Sequence, residues 1–151
     1  MSAQWQELYQ QMILEHNKNP KNFEKIEPCT HSAEGFNPLC GDHFWVYLDI
    51  DDSGTIQNVG FQGAGCAISK ASASLMTVAI KGKQMSEAQK IFKEFQMLLS
   101  GELKPETTGH SLGKLKVFSG IWQFPSRVKC AALIWHAMSG ALCQVQSVST
   151  E

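Results

Sequence analysis

The sequence predicts an α+β fold, with several helices on one face of a small antiparallel sheet. Three observations carry this prediction. One amphipathic helix comes first, alternating apolar residues then mark a short block of strands, and helical spacing dominates the rest of the chain. No repeat or linker interrupts the 151 residues, so 1–151 reads as a single domain long enough to bury a core.

The elements follow in order. Trp5, Leu8, Tyr9, Met12, Ile13 and His16 recur at helical spacing over 4–16, with Trp5 and Tyr9 read as core, and Asn17, Asn19 and Pro20 end the helix. Residues 21–39 contain Pro28, Gly35 and Pro38 and read as extended chain with one edge strand. Phe44, Val46, Leu48 and Ile50 alternate along one face of a strand. Asp51-Asp52-Ser53-Gly54 then turns the chain into a second strand over 55–62.

Residues 67–81 are rich in Ala, Ser and Met and predict a tightly packed helix ended by Gly82. Ser86 and Gln89 have capping-box spacing and open a third helix, which buries Ala88, Ile91, Phe92, Phe95, Leu98 and Leu99 and ends at Gly101. A loop over 101–111 and a short helix within 112–121 follow. Pro125 and Ser126 open a last helix to about Leu142, and the polar tail 144–151 reads as frayed.

Composition narrows the function classes. Hydrophobic residues make up 43% and charged residues 18%, and the net charge is −1, which gives no basic field for nucleic acid or anionic lipid. No apolar run is long enough for a membrane span, and the N-terminus lacks the layout of a secretory signal, so a cytoplasmic protein is expected. Five cysteines in a reducing compartment point to metal or thiol chemistry rather than disulfides.

Three segments carry that chemistry. In Asn37-Pro38-Leu39-Cys40-Gly41-Asp42 the turn sets Cys40 and Asp42 two residues apart, so both side chains reach one side of an extended tip. Gly63-Ala64-Gly65-Cys66 puts Cys66 at a helix N-terminus, where free N–H groups favour thiolate. Arg127-Val128-Lys129-Cys130 puts Cys130 in the first turn of the last helix, beside two basic residues. Each motif taken singly also fits a purely structural role: a tight turn, a small residue after glycine, a core cysteine. Together, three thiolates and a carboxylate make a four-ligand set suited to tetrahedral Zn²⁺, and the same thiolates suit iron or an iron–sulfur cluster. Cys29 and Cys143 read as structural.

The segments LYQQMILEHNKNPKN, NPLCGD, GAGCAISKASASLM and FPSRVKCAALIW closely resemble the SufU branch of the IscU/NifU N-terminal family, from about Leu8 to Leu142. The resemblance implies an IscU-like fold and work in iron–sulfur cluster assembly beside a SufS-like cysteine desulfurase, with downstream scaffold or acceptor proteins. It places Cys40, Asp42, Cys66 and Cys130 on the family's metal-ligand positions and Cys40 on its sulfur-accepting position. Lys129 stands where IscU proteins have His, the Leu-Pro-Pro-Val-Lys segment has no counterpart, and extra residues fall around 101–120. All three features resemble SufU.

The expected function is therefore that of a zinc-dependent acceptor of persulfide sulfur, a sulfurtransferase-like accessory of the desulfurase. Cys40 would take the sulfur and Arg127 would assist by pairing with Asp42 once that carboxylate is displaced. The alternatives are a scaffold that assembles and transfers a [2Fe-2S] cluster on the same ligands, or a zinc-stabilised interaction module. A cysteine hydrolase would need a His beside its nucleophile, and His43 reads instead as starting a strand, facing solvent or packing at the site's edge. His16 and His136 read as packing residues in helices, and His31 and His110 as loop residues.

Overall fold

The structure, a computed structural model, describes residues 3–38, 41–144 and 147–149. Helix α1 (Ala3–Lys18) is followed by strands β1 (His31–Asn37), β2 (Asp42–Ile50) and β3 (Ile56–Ala64). Helices α2 (Ala67–Ile80) and α3 (Met85–Ser100) come next, then two 3₁₀ segments (Gly113–Phe118 and Ile121–Gln123), α4 (Pro125–Leu142) and the short strand β4 (Ser147–Ser149).

The hairpin forms where alternation places it. Phe44, Val46, Leu48 and Ile50 of β2 are buried, as are Ile56, Val59 and Phe61 of β3. The Asp51 carboxylate closes the turn. It accepts from the N–H groups of Ser53 and Thr55 at 3.0 and 2.9 Å and from the Gln57 amide at 2.7 Å. The Ser53 hydroxyl, which donates to Oδ1 at 2.7 Å, above all, then the Thr55 N–H and the Gln57 amide, hold its pKa down at about 2.

Two features of the sheet differ from the sequence expectation. The order is β3-β2-β1-β4, so β1 is an inner strand rather than an edge, and His31 begins it rather than lying in a loop. The sheet is also mixed: β1 pairs antiparallel with β2 but parallel with β4, Gly35 facing Val148. The tail expected to be frayed thus supplies a strand through Ser147–Ser149, because β1 offers a free edge.

Small residues set the helix layer. Ala71, Ser72, Ala73 and Ser74 of α2 are buried, and the Ser72 hydroxyl donates to the Ala131 carbonyl of α4 at 2.6 Å. The Ser74 hydroxyl meets His16 Nδ1 of α1 at 2.7 Å, so His16 is a satisfied buried polar group. Tyr9 is buried and stacks on half-buried Trp5 with ring centroids 5.0 Å apart. Helix α3 buries the six apolar residues expected and ends at Gly101, whose φ of 85° closes a left-handed cap. Its start differs from expectation: Gln84 is the N-cap, with its N–H donating to Glu87 Oε1 at 3.2 Å, and Ser86 lies inside the first turn. The segment expected as a short helix forms the two 3₁₀ pieces, which bury Leu115, Val117, Phe118 and Ile121. Trp135 of α4 is fully buried against Phe95, with its indole N–H donating to Ser72 at 3.3 Å.

Candidate metal and sulfur site

The site forms where three elements begin. Asn37 and Asp42 pair at the open end of β1 and β2, and Gly41, at φ 79°, donates to the Asn37 carbonyl at 2.8 Å. That turn starts β2 at Asp42 and leaves its carboxylate 2% exposed on the helix-facing side. Cys40 lies outside the described residues.

Strand β3 ends at Ala64, between Gly63 and Gly65. A Cβ on Gly65 would fall 2.7 Å from Asp42 Oδ1 and 2.8 Å from the Phe44 ring, so only glycine lets the chain pass this close. The next residue, Cys66, is the N-cap of α2. Its N–H donates to Asp42 Oδ1 at 3.0 Å, and its sulfur accepts from the Ser69 N–H at 3.4 Å. The Ser69 hydroxyl donates to Asp42 Oδ2 and lies 3.1 Å from the Cys66 sulfur.

Helix α4 brings the third donor. Because the helix starts at Pro125, Cys130 is its sixth residue and sits in the second turn, not the first. The field of a helix terminus fades beyond the first turn, so it does not favour thiolate at Cys130 as expected. The chemistry of the pair decides instead. The Cys130 and Cys66 sulfurs lie within 4.8 Å of each other. The neighbouring Cys130 thiol above all lowers the Cys66 pKa to about 6, against the opposing pull of burial and with help from Ser69. The same proximity, then burial and the charges of Cys66 and Asp42, pushes the Cys130 thiol up.

The ligand atoms of Asp42, Cys66 and Cys130 all lie within 4.8 Å of one another. Zn–S and Zn–O bonds of ~2.3 and ~2.0–2.2 Å put tetrahedral donors roughly 3.4–3.8 Å apart, so only a small closure separates this trio from a metal shell. Two soft thiols and one carboxylate fit zinc or iron and do not suit magnesium or calcium.

The other sequence candidates fall around the trio. Exposed Arg127 lies over the Phe124 ring, 4.5 Å from its centroid, and no ion pair joins it to Asp42 among the described residues. His43 points to the outer face of the sheet. It stacks on Trp45 at 4.2 Å and meets Glu34 Oε2 at 2.8 Å. Half-buried Cys29 and exposed Cys143, which ends α4, stand apart from the trio. Cys143 was expected to be a packed thiol, but the C-cap position leaves it in solvent.

Sequence reasoning missed two residues. Ser69 was legible as a polar N3 partner three residues after an N-cap. Tyr9 was read only as core, yet its hydroxyl is buried without a well-formed hydrogen bond and feels the charges of Arg127, Cys66 and Cys130. Burial raises its pKa, and Arg127 opposes the rise.

Comparison with known proteins places the chain in a family. The model of the NifU-like N-terminal domain matches residues 8–131. A Bacillus subtilis (strain 168) protein named zinc-dependent sulfurtransferase SufU is 37% identical over 131 residues, which cover 87% of this chain and 86% of that protein. A Thermotoga maritima protein named iron–sulfur cluster assembly scaffold protein IscU is 36% identical over 141 residues, covering 91% and 94%. The crystal structure of the SUF-system protein FiSufU from Fervidobacterium islandicum AW-1 superposes with a TM-score of 0.81 at 34% identity, covering 90% of this chain and 97% of that one. The chain belongs to the NifU-like N-terminal domain family, as a SufU-type member.

Proposed function

We propose that this protein is a zinc-holding acceptor of persulfide sulfur in iron–sulfur cluster assembly, working in the cytoplasm beside a SufS-like cysteine desulfurase and passing sulfur to downstream scaffold or acceptor proteins. The observation that carries the reading is the convergence of Asp42, Cys66 and Cys130 within 4.8 Å, two residues along the chain from Cys40. The relative named a zinc-dependent sulfurtransferase supports the choice of metal and reaction.

Asp42, Cys66 and Cys130, with Cys40, would hold the zinc, which when bound keeps its cysteines as thiolates. The Cys40 thiolate attacks the outer sulfur of the desulfurase's cysteine persulfide. A new S–S bond forms at Cys40, the old S–S bond breaks, and the desulfurase cysteine leaves as a thiolate; the proton on the outer sulfur travels with it. Asp42 and Cys66 are joined independently of the metal by the Cys66 N–H, which donates to Asp42 Oδ1 at 3.0 Å. Exposed Arg127 supplies positive charge at the rim, where it would steady the displaced carboxylate or the transferred sulfur.

The test is desulfurase turnover with parent protein and with Cys40→Ala. The expected result is that Cys40→Ala removes the stimulation; undiminished stimulation overturns the relay. The second reading, a [2Fe-2S] scaffold, draws on the relatives named IscU scaffold proteins. Anaerobic reconstitution separates the two: a cluster that replaces zinc and moves to an acceptor protein favours the scaffold.

A further inference from the structure

We infer that Ser69 is a positioning residue for the metal site, and that it acts through Asp42 rather than through packing. The inference rests on the reading that Asp42, Cys66 and Cys130 hold a metal. Ser69 is 1% exposed and is the third residue of α2, in its first turn, with its hydroxyl on Asp42. Its hydroxyl has one proton and, among the described residues, two polar neighbours, Asp42 Oδ2 and the Cys66 sulfur at 3.1 Å. A carboxylate oxygen is the stronger acceptor, so the proton goes to Asp42.

Cys66 is served separately, by the Ser69 backbone N–H at 3.4 Å, which no side-chain substitution removes. The other oxygen of Asp42 is held by the Cys66 N–H at 3.0 Å. Among the described residues Asp42 therefore has an N–H donor on Oδ1 and the Ser69 hydroxyl on Oδ2, where the Cys66 sulfur is a longer neighbour at 3.7 Å. A buried carboxylate with a single donor would be poorly oriented toward the sulfurs and more costly to keep charged. This gives the chain a reason to place a hydroxyl three residues after Cys66, where a capping role alone is already met by the backbone.

The experiment measures zinc affinity by competition with a chromophoric chelator, for the full chain and for Ser69→Ala, Ser69→Thr, Asp42→Ala and the Ser69→Ala/Asp42→Ala double variant. Far-UV circular dichroism of each variant checks the fold. Ser69→Ala should weaken zinc binding about 10–100-fold, the range for loss of a group that orients a ligand. Ser69→Thr, which keeps the hydroxyl, should recover most of that loss. In the Asp42→Ala background Ser69→Ala should cost almost nothing more, because its target is already gone. Unchanged affinity in Ser69→Ala overturns the inference. So does an equal loss with and without Asp42, which would assign the effect to packing or to Cys66. A parent chain that binds no zinc overturns the metal reading itself, and this inference with it.

Discussion

Cys66 and Cys130 occupy one site yet titrate apart, and their contact explains why. The two sulfurs lie within 4.8 Å, and the Cys130 thiol beside Cys66 lowers the Cys66 pKa while the Cys66 charge and burial raise that of Cys130. In metal-free protein Cys66 is then a thiolate above about pH 6 and a thiol below, while Cys130 stays protonated through neutral pH. Only the thiolate alkylates, so iodoacetamide at neutral pH should label Cys66 well before Cys130, and the Cys66 rate should fall as pH drops through about 6. Removing the neighbouring thiol by Cys130→Ala takes away the largest cause of the lowering. The midpoint should then rise toward the ordinary thiol value of about 8.5. Peptide mapping by mass spectrometry reads each cysteine separately, and a parent Cys66 that labels only above pH 8 would contradict the assignment. At this scale the sequence made Asp42 and Cys66 legible, because a glycine turn and a helix start are local signals. It placed Cys130 in the first turn of the last helix, although the start it read at Pro125, which the structure keeps, makes Cys130 the sixth residue and puts it in the second turn.

At the scale of elements, the position of Cys130 depends on how α4 rests on the sheet. The contact is close at Gly35 of β1. A Cβ there would lie 3.2 Å from Ala137 Cβ and 3.2 Å from Leu133 Cδ1, both on α4. Gly35→Ala should therefore press α4 outward and destabilise the fold by about 1–3 kcal/mol, the usual cost of overpacking. Urea unfolding followed by circular dichroism measures this, and a change below about 0.5 kcal/mol, the scatter of neutral surface substitutions, would mean that α4 yields freely. The same contact shows what the sequence could convey about elements. The β2–β3 hairpin was readable because four alternating apolar residues and an Asp-rich turn are enough to specify it. Strand β4 was not, because three residues with Val148 as their one apolar side chain carry no periodicity. Its pairing is supplied by the exposed edge of β1, which no local pattern reports. The capping box was misread for a related reason. Ser86 and Gln89 have the right spacing, but the bridge between Thr55 and Gln84 fixes the helix start two residues earlier.

At the scale of the whole molecule, the three donors tie together parts of the chain that are far apart in sequence. Asp42 opens β2, Cys66 caps α2 and Cys130 rides on α4, so an ion bound by all three is a crosslink between the sheet and two helices. Binding to the native state alone stabilises by RT ln(1 + [L]/Kd), about 4 kcal/mol when free zinc is a thousandfold above Kd. For a chain of this length each kcal/mol moves Tm by about 2–4 °C, so saturating zinc should raise Tm by roughly 8–16 °C over chelated protein. The metal-free chain should still fold. Its core runs through α1, the sheet, α2, α3, both 3₁₀ segments and α4, with Trp135, Phe44, Phe61, Phe95 and Phe118 fully enclosed, and none of these side chains needs an ion to stay buried. The site itself is preassembled by hydrogen bonds among Asp42, Cys66 and Ser69. Calorimetry of chelated and zinc-loaded protein at fixed concentrations tests both parts. A cooperative transition in both, separated by a gap that widens with free zinc, fits a resident metal on a self-sufficient fold, with the ion free to serve chemistry. Loss of the cooperative transition on chelation would instead make zinc the element that folds the chain, and would favour a zinc-stabilised interaction module over sulfur transfer.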